Sequence, residues 1–141
     1  SSLVISLVSG PYYLLLDNFF VECDGAQGNA LVLTGCLDAI VRNFTMLCSA
    51  GTWASAIITG AATDRCLIQR GDFLCSGTAI SAGVNGTGAT LANGVFVLDC
   101  RFSDLCTVSV DNFDAAECEI AENYIAGVGG TDGGVLITAI T

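Results

Sequence analysis

The sequence predicts an all-β solenoid, a parallel β-helix of about five rungs, and three observations support this. A short apolar–polar–apolar cassette recurs five times, at spacings of 25, 27, 29 and 23 residues. Within each copy the apolar residues alternate two by two, which is the period of a strand with one buried face. Helical periodicity is never sustained for three turns, and 17 glycines interrupt the chain. Units of this length stack because one unit cannot bury its own apolar face.

Each cassette is built around one apolar anchor. The anchors are Leu16, Val41, Ile68, Val97 and Ile120. Side chains five positions after the anchor are apolar again, namely Val21, Met46, Phe73, Phe102 and Ile125. Equivalent residues of stacked strands lie above one another, so we expect each set to form one internal file.

A polar residue two positions after each anchor breaks the alternation by one residue. These residues are Asn18, Asn43, Arg70, Asp99 and Glu122. Asn and Asp tolerate the left-handed backbone conformation and form local hydrogen bonds. The pattern therefore predicts a tight corner in the middle of each cassette.

A second set of short β-branched runs follows the cassettes, at residues 30–35, 55–60, 106–110 and 134–139, and residues 3–8 have the same character. Glycine clusters at 83–88 and 127–134 are followed by neither a lysine nor a helix, so they predict loops between strands rather than phosphate-binding loops. Each rung is thus expected to run strand, corner, strand, loop, strand.

The cassette segments at 37–48, 63–75, 94–105 and 115–127 resemble the right-handed parallel β-helix repeats of pectate-lyase-like enzymes, periplasmic copper-maturation β-helices and bacteriophage tailspikes. The resemblance covers residues 14–141 and implies a right-handed coil. It implies little about activity, because this scaffold hosts many chemistries.

Residues 1–141 read as one β-helix domain. A solenoid needs polar caps at its ends, and the apolar runs at 3–8 and 135–141 provide none. We therefore expect the ends to be covered by more of a longer polypeptide or by a partner subunit.

The chain carries little charge for a soluble domain. Charged residues make up 13%, against roughly 25% in typical domains, and 52% of residues are hydrophobic. Side-by-side assembly into a homo-oligomer, a trimer, would bury such a surface. A net charge of −10 disfavours nucleic acid, and polar residues interrupt every apolar run before the ~18 residues of a membrane span.

The eight cysteines include Cys23, Cys48 and Cys75 at one cassette position, seven residues after the anchor. Strand stacking would place them about 4.8 Å apart, which permits a disulfide, but three members of one file cannot all pair. A core of free thiols is the favoured interpretation, with one or two bridges as the alternative. The chain has no histidine and no close cysteine pair, so we expect neither a metal nor a cofactor.

Candidate catalytic residues are few. Carboxylates concentrate late in the chain, and Asp99, Asp104, Asp111 and Asp114 would be the acids of a glycosidase or calcium site, or simply a solvated face. A Ser-His-Asp catalytic triad is excluded because the chain has no histidine. Trp53 is the candidate for stacking on a sugar, or else a packing residue.

These features favour a non-enzymatic structural or receptor-binding component of a bacteriophage virion. Resemblance to tailspikes implies the viral part: a homotrimer in a tail fibre or tailspike, assembled in the host cytoplasm with other virion proteins and directed at a host surface glycan. The alternatives are a polysaccharide lyase or glycoside hydrolase fragment, and an extracellular or cell-surface adhesin module.

Overall fold

Two parallel β-sheets make up the protein. The computed structural model describes residues 3–6, 13–59, 63–77, 79–86, 94–103, 105–111, 118–126 and 135–136, and these residues form strands and turns without a helix. The strands are β1 Leu3–Ser6, β2 Tyr13–Cys23, β3 Gln27–Thr34, β4 Asp38–Cys48, β5 Thr52–Thr59, β6 Cys66–Cys75, β7 Ala79–Asn85, β8 Val95–Leu98, β9 Arg101–Phe102, β10 Cys106–Asp111, β11 Cys118–Ala121, β12 Tyr124–Ile125 and β13 Val135–Leu136.

The chain winds between the two sheets, so that each coil lies on the one before it. One sheet has the order β1-β3-β5-β7-β10-β13 and is called the opposite sheet here. The other, called the cassette sheet, has the order β11-β8-β6-β4-β2, with β9 and β12 beside it. Neighbouring strands pair in parallel throughout. The prediction of an all-β parallel solenoid is confirmed.

The expected number of rungs is slightly too high. About three turns are complete, and the strands then shorten to four residues in β8 and two in β9. The cassette copies after β6 nevertheless continue the same files, because β8 pairs with β6 and β11 pairs with β8.

The five anchors lie in one internal file. Leu16 is paired with Val41, Val41 with Ile68, Ile68 with Val97, and Val97 with Ile120. The three middle anchors are completely buried, whereas the two outer ones are partly buried against the same core. The residues five positions later form a second file with the same register, through Met46, Phe73 and Phe102.

A left-handed corner divides each cassette. The backbone φ angles are 56° at Asn18, 52° at Asn43, 53° at Arg70, 52° at Asp99 and 59° at Glu122. The corner predicted from the broken alternation is therefore confirmed in all five copies. Because this conformation turns the chain, the strand alternation restarts with the opposite parity, and apolar residues face inward on both sides of the corner.

Four phenylalanines stack through the core beside the corners. The ring centroids of Phe19 and Phe44 are 5.4 Å apart in a stacked pair, and Phe44 meets Phe73 edge-on at 5.4 Å. Phe73 then stacks on Phe102 at 4.6 Å. Phe19 and Phe44 lie three positions after their anchors, whereas Phe73 and Phe102 lie five positions after theirs. The change occurs because Phe44 is paired with Gly71, which has no side chain, and the Phe44 ring occupies that space.

The opposite sheet contains a strand that sequence analysis missed. Strands β3, β5, β10 and β13 overlap the β-branched runs, and β1 lies within the run at 3–8. Strand β7 covers residues 79–85, so the prediction of a loop starting at residue 83 is wrong for its first three residues. Pairing of Trp53 with Ile80 and of Ile57 with Val84 imposes the strand on a segment rich in Ala, Ser and Gly. The loop predicted at 127–134 lies outside the described residues.

Replacing Gly71 with alanine is expected to destabilise the protein. A Cβ at this position would overlap the Phe44 ring, which is held by Phe19 and Phe73. We expect a loss of about 1–3 kcal/mol in the free energy of unfolding, measured with urea. Gly28→Ala is the control, because nothing lies within 4 Å of its added Cβ. Equal losses in both variants would contradict the packing described at Gly71.

Replacing Arg70 with glycine tests the left-handed corner. Arg70 has a φ of 53°, which costs a residue with a Cβ roughly 1–2 kcal/mol, whereas glycine adopts it freely. Arg70→Gly should therefore keep or raise the free energy of unfolding. The neighbouring change Gln69→Gly, within strand β6, should lower it by about 0.5–1 kcal/mol. A similar loss at both positions would show that residue 70 is not strained.

Candidate functional site

The outer side of the cassette sheet carries most of the large exposed apolar side chains among the described residues. The exposed fractions are 82% for Tyr13, 56% for Leu15, 59% for Phe20, 37% for Ile40, 40% for Leu74 and 61% for Tyr124. A further one, Leu105, lies in a turn. Concentrated exposed apolar surface typically marks a site of interaction, whereas scattered residues do not. This side of the sheet is the candidate functional site.

The corner divides this surface into two flanks. The pre-corner flank contains the outward residues before the corner, centred on a file in which Leu15 pairs with Ile40, Ile40 with Leu67, and Leu67 with Phe96. The post-corner flank contains the outward residues after it, including Phe20, Leu74 and Tyr124. The two flanks meet along the five left-handed corner residues.

Arginine–aspartate pairs connect successive coils across this surface. On the pre-corner flank, Arg42 donates to Asp17 Oδ2 from Nε at 3.1 Å and from Nη2 at 2.8 Å. Arg65 binds Asp38 with two bonds, at 2.6 and 2.7 Å. On the post-corner flank, Arg101 lies 3.9 Å from Asp72. Each pair joins residues of neighbouring coils, so the charges compensate one another across the coil stack.

The hydrogen bonds of these pairs lower the pKa of two carboxyl groups. Bonds from Arg42, and then from Asn43 at 2.7 Å, lower the pKa of Asp17 below its usual value. The bonds from Arg65 lower the pKa of Asp38 in the same way. Both groups stay ionised, so the pairs contribute to stability above the ordinary carboxyl pKa and lose that contribution on acidification.

The cysteines whose side chains are described lie in or against the core as thiols. The seven with described side chains form no disulfide, and all except Cys75 are buried. Cys23 is in register with Cys48, and Cys48 with Cys75, as the cassette predicts. Burial raises the pKa to about 11 for Cys48 and Cys100 and to about 12 for Cys66 and Cys106. Such thiols are neutral at physiological pH and therefore poor nucleophiles and metal ligands.

Of the four suspected catalytic acids, only Asp99 has a described side chain, so their convergence stays a prediction. Asp99 is exposed at its corner, and Asp111 ends strand β10 with a side chain outside the description. Asp104 and Asp114 lie outside the described residues altogether. Within the described ranges, no group of three or more Cys, Asp or Glu could hold a metal ion.

Trp53 is not an exposed sugar-stacking residue, and that expectation is wrong. Its side chain has no accessible surface and is among the largest buried in the core. It alternates with exposed Ala54 in β5, so its position on the inner side of the opposite sheet follows from the strand period. The structure agrees with the alternative interpretation, a packing residue.

Comparisons with protein-family models, with curated proteins and with solved structures find no match to this chain. In the parts that the structure describes, no helix could cross a membrane. The fold and the outer surface of the cassette sheet are therefore the observations on which function is argued.

Two structural features of the candidate site were not predicted from the sequence. The first is the outward apolar file, which the sequence does indicate, because the residue directly before the anchor is apolar in four copies: Leu15, Ile40, Leu67 and Phe96. Asn123 is the second, since its Nδ2 donates to the Val97 carbonyl and its Oδ1 accepts from the Cys100 amide, both at 2.8 Å. These bonds join two coils at the corner.

Alkaline pH is expected to destabilise the fold through the buried thiols. The unfolded chain releases thiol protons near pH 9, whereas the folded chain holds them to about pH 12 at Cys66. Stability is thus full below pH 9 and falls as pH rises, by about 1.4 kcal/mol per pH unit for one such thiol. Urea unfolding between pH 7 and 11 measures this fall.

The variant Cys66→Ala is the control for the alkaline transition. It should be less stable at pH 7 because a buried side chain is shortened, but its stability should fall less steeply with pH. The variant keeps every other titratable group of the chain, including seven cysteines and three tyrosines, so the difference between the two pH slopes isolates Cys66. An identical pH slope in the variant would contradict the assignment to Cys66.

Proposed function

We propose that this chain is a non-enzymatic β-solenoid scaffold that assembles as a homotrimer in a bacteriophage tail fibre, tailspike or related appendage. The observation that carries the proposal is how the chain uses its reactive groups. Thiols with raised pKa are buried in the core, and three of the four arginines pair with an aspartate of the preceding coil. These groups hold coils together rather than converge on a substrate.

Assembly is supported by composition and by the outer surface of the cassette sheet. A chain with 13% charged residues exposes phenylalanine, leucine, isoleucine and tyrosine side chains on one side of a sheet. Burial of such surface contributes about 25 cal/mol per Å². Association with further copies is the simplest way to remove it from water.

The place in a virion rests on the resemblance of the cassettes to tailspike repeats. Assembly in the reducing cytoplasm of a host agrees with a core of thiols, because disulfides are rare in that compartment. Other virion proteins are the partners expected for the ends of the coil, and a host surface glycan is the ligand expected for a receptor-binding part.

The proposal is tested by native mass spectrometry together with a depolymerisation assay. We expect a species of three times the 14.4 kDa chain mass at micromolar concentration. We also expect no release of unsaturated or reducing oligosaccharides from pectin or bacterial capsule.

Two outcomes would overturn the proposal. A monomer over the whole concentration range would contradict the scaffold assembly. Oligosaccharide release by the wild-type protein that falls at least tenfold in Asp99→Asn, with unchanged thermal unfolding, would establish the lyase or hydrolase alternative instead.

A further inference from the structure

We infer that the pre-corner flank of one copy packs against the post-corner flank of the next, which closes a three-membered ring with the corner residues near its axis. This inference deepens the proposed function and rests on it. It names the partner surface of each flank, which the assembly proposal leaves open.

The distribution of exposed apolar side chains supports two contact surfaces rather than one. Tyr13, Leu15 and Ile40 lie before the corner, and Phe20, Leu74 and Tyr124 lie after it. Because the backbone bends at the corner, the two flanks face in different directions, and a single isologous contact would cover one flank and leave the other exposed. A heterologous ring uses both flanks of every copy.

The surface area of the flanks also favours a ring. Each flank is about five residues wide and at most five strands high, which corresponds to roughly 400 Å² at 3.3 Å per residue and 4.8 Å per strand. A stable interface buries about 800 Å² per partner. A single contact between two flanks falls short of this value, whereas a closed ring gives every copy two such contacts, which together bury about 800 Å² per copy.

Charge explains why the occupant is a second copy of this chain. With a net charge of −10, copies repel one another over most of their surface. On the flanks, however, Asp17, Asp38 and Asp72 are each compensated by an arginine of the adjacent coil, and among the described residues only Glu22 and Glu119 add carboxylates there without an ion pair. These pairs surround apolar files, as the polar rim of an interface surrounds its apolar centre.

Two matched variants test the flanks, each placing one carboxylate among apolar side chains. Ile40→Glu alters the pre-corner flank and Leu74→Glu the post-corner flank, at exposed fractions of 37% and 40%. Ala54→Glu is the control, because Ala54 is exposed on the outer side of the opposite sheet and the charge change is the same. Thermal unfolding followed by circular dichroism verifies that all three variants fold.

We expect light scattering coupled to size exclusion to find a trimer for the wild-type protein and for Ala54→Glu. For Ile40→Glu and for Leu74→Glu, the protein concentration at which half of the chains are trimeric should be at least tenfold higher than for the wild-type protein. Mixing the two should yield a heterodimer, because the intact pre-corner flank of Leu74→Glu can still pack against the intact post-corner flank of Ile40→Glu.

The possible failures are distinguishable. A monomeric wild-type protein would overturn the proposed assembly together with this inference. A trimer that persists in both flank variants would overturn the inference alone, since another surface would hold the copies together. If Leu74→Glu behaves as wild type and only Ile40→Glu dissociates, the contact is isologous and the ring is wrong.

Discussion

Stacking of successive coils in register is the constraint on which the rest of the structure depends. Five anchors pair directly from Leu16 to Ile120, and this is possible only if every coil turns at the same place. The left-handed corner provides that turn, at a cost of roughly 1–2 kcal/mol wherever the residue has a Cβ. Burial of the files on both sides of the corner offsets this cost, so the corner and the core stabilise each other.

The same corner organises the surface. Because the strand alternation restarts after the corner, both flanks of the cassette sheet have files of inward and outward side chains, and the two flanks share the corner as an edge. Equivalent outward residues of successive coils therefore lie above one another. Opposite charges can then lie above one another, as Asp17 and Arg42 do, and so can apolar residues, as Leu15 and Ile40 do. Three arginine–aspartate pairs among the described residues are placed in register in this way, so part of the small number of charges stabilises the coil stack.

Sequence periodicity predicted the files and corners because both depend on local rules, the two-residue period of a strand and the tolerance of left-handed φ. It could not predict the phenylalanine stack, which changes file at Gly71 because the Phe44 ring fills the space above it. Strand β7 was missed because pairing with β5 imposes it on weak strand formers. The exposed flanks could not be predicted in the same way, because the strand period shows that the residue before each anchor faces the other side of the sheet but not whether that side is covered.

The repeat itself supports the proposed self-association. A file such as Leu15, Ile40, Leu67 and Phe96 presents similar side chains at each coil, so a neighbouring copy with the same spacing meets an equivalent contact at every level. A partner with another spacing would match at one level and miss at the next. Contact energy therefore grows with the number of aligned coils for a copy of this chain and not for an unrelated globular surface. The register that holds the coils together would thus also select the partner in the proposed assembly.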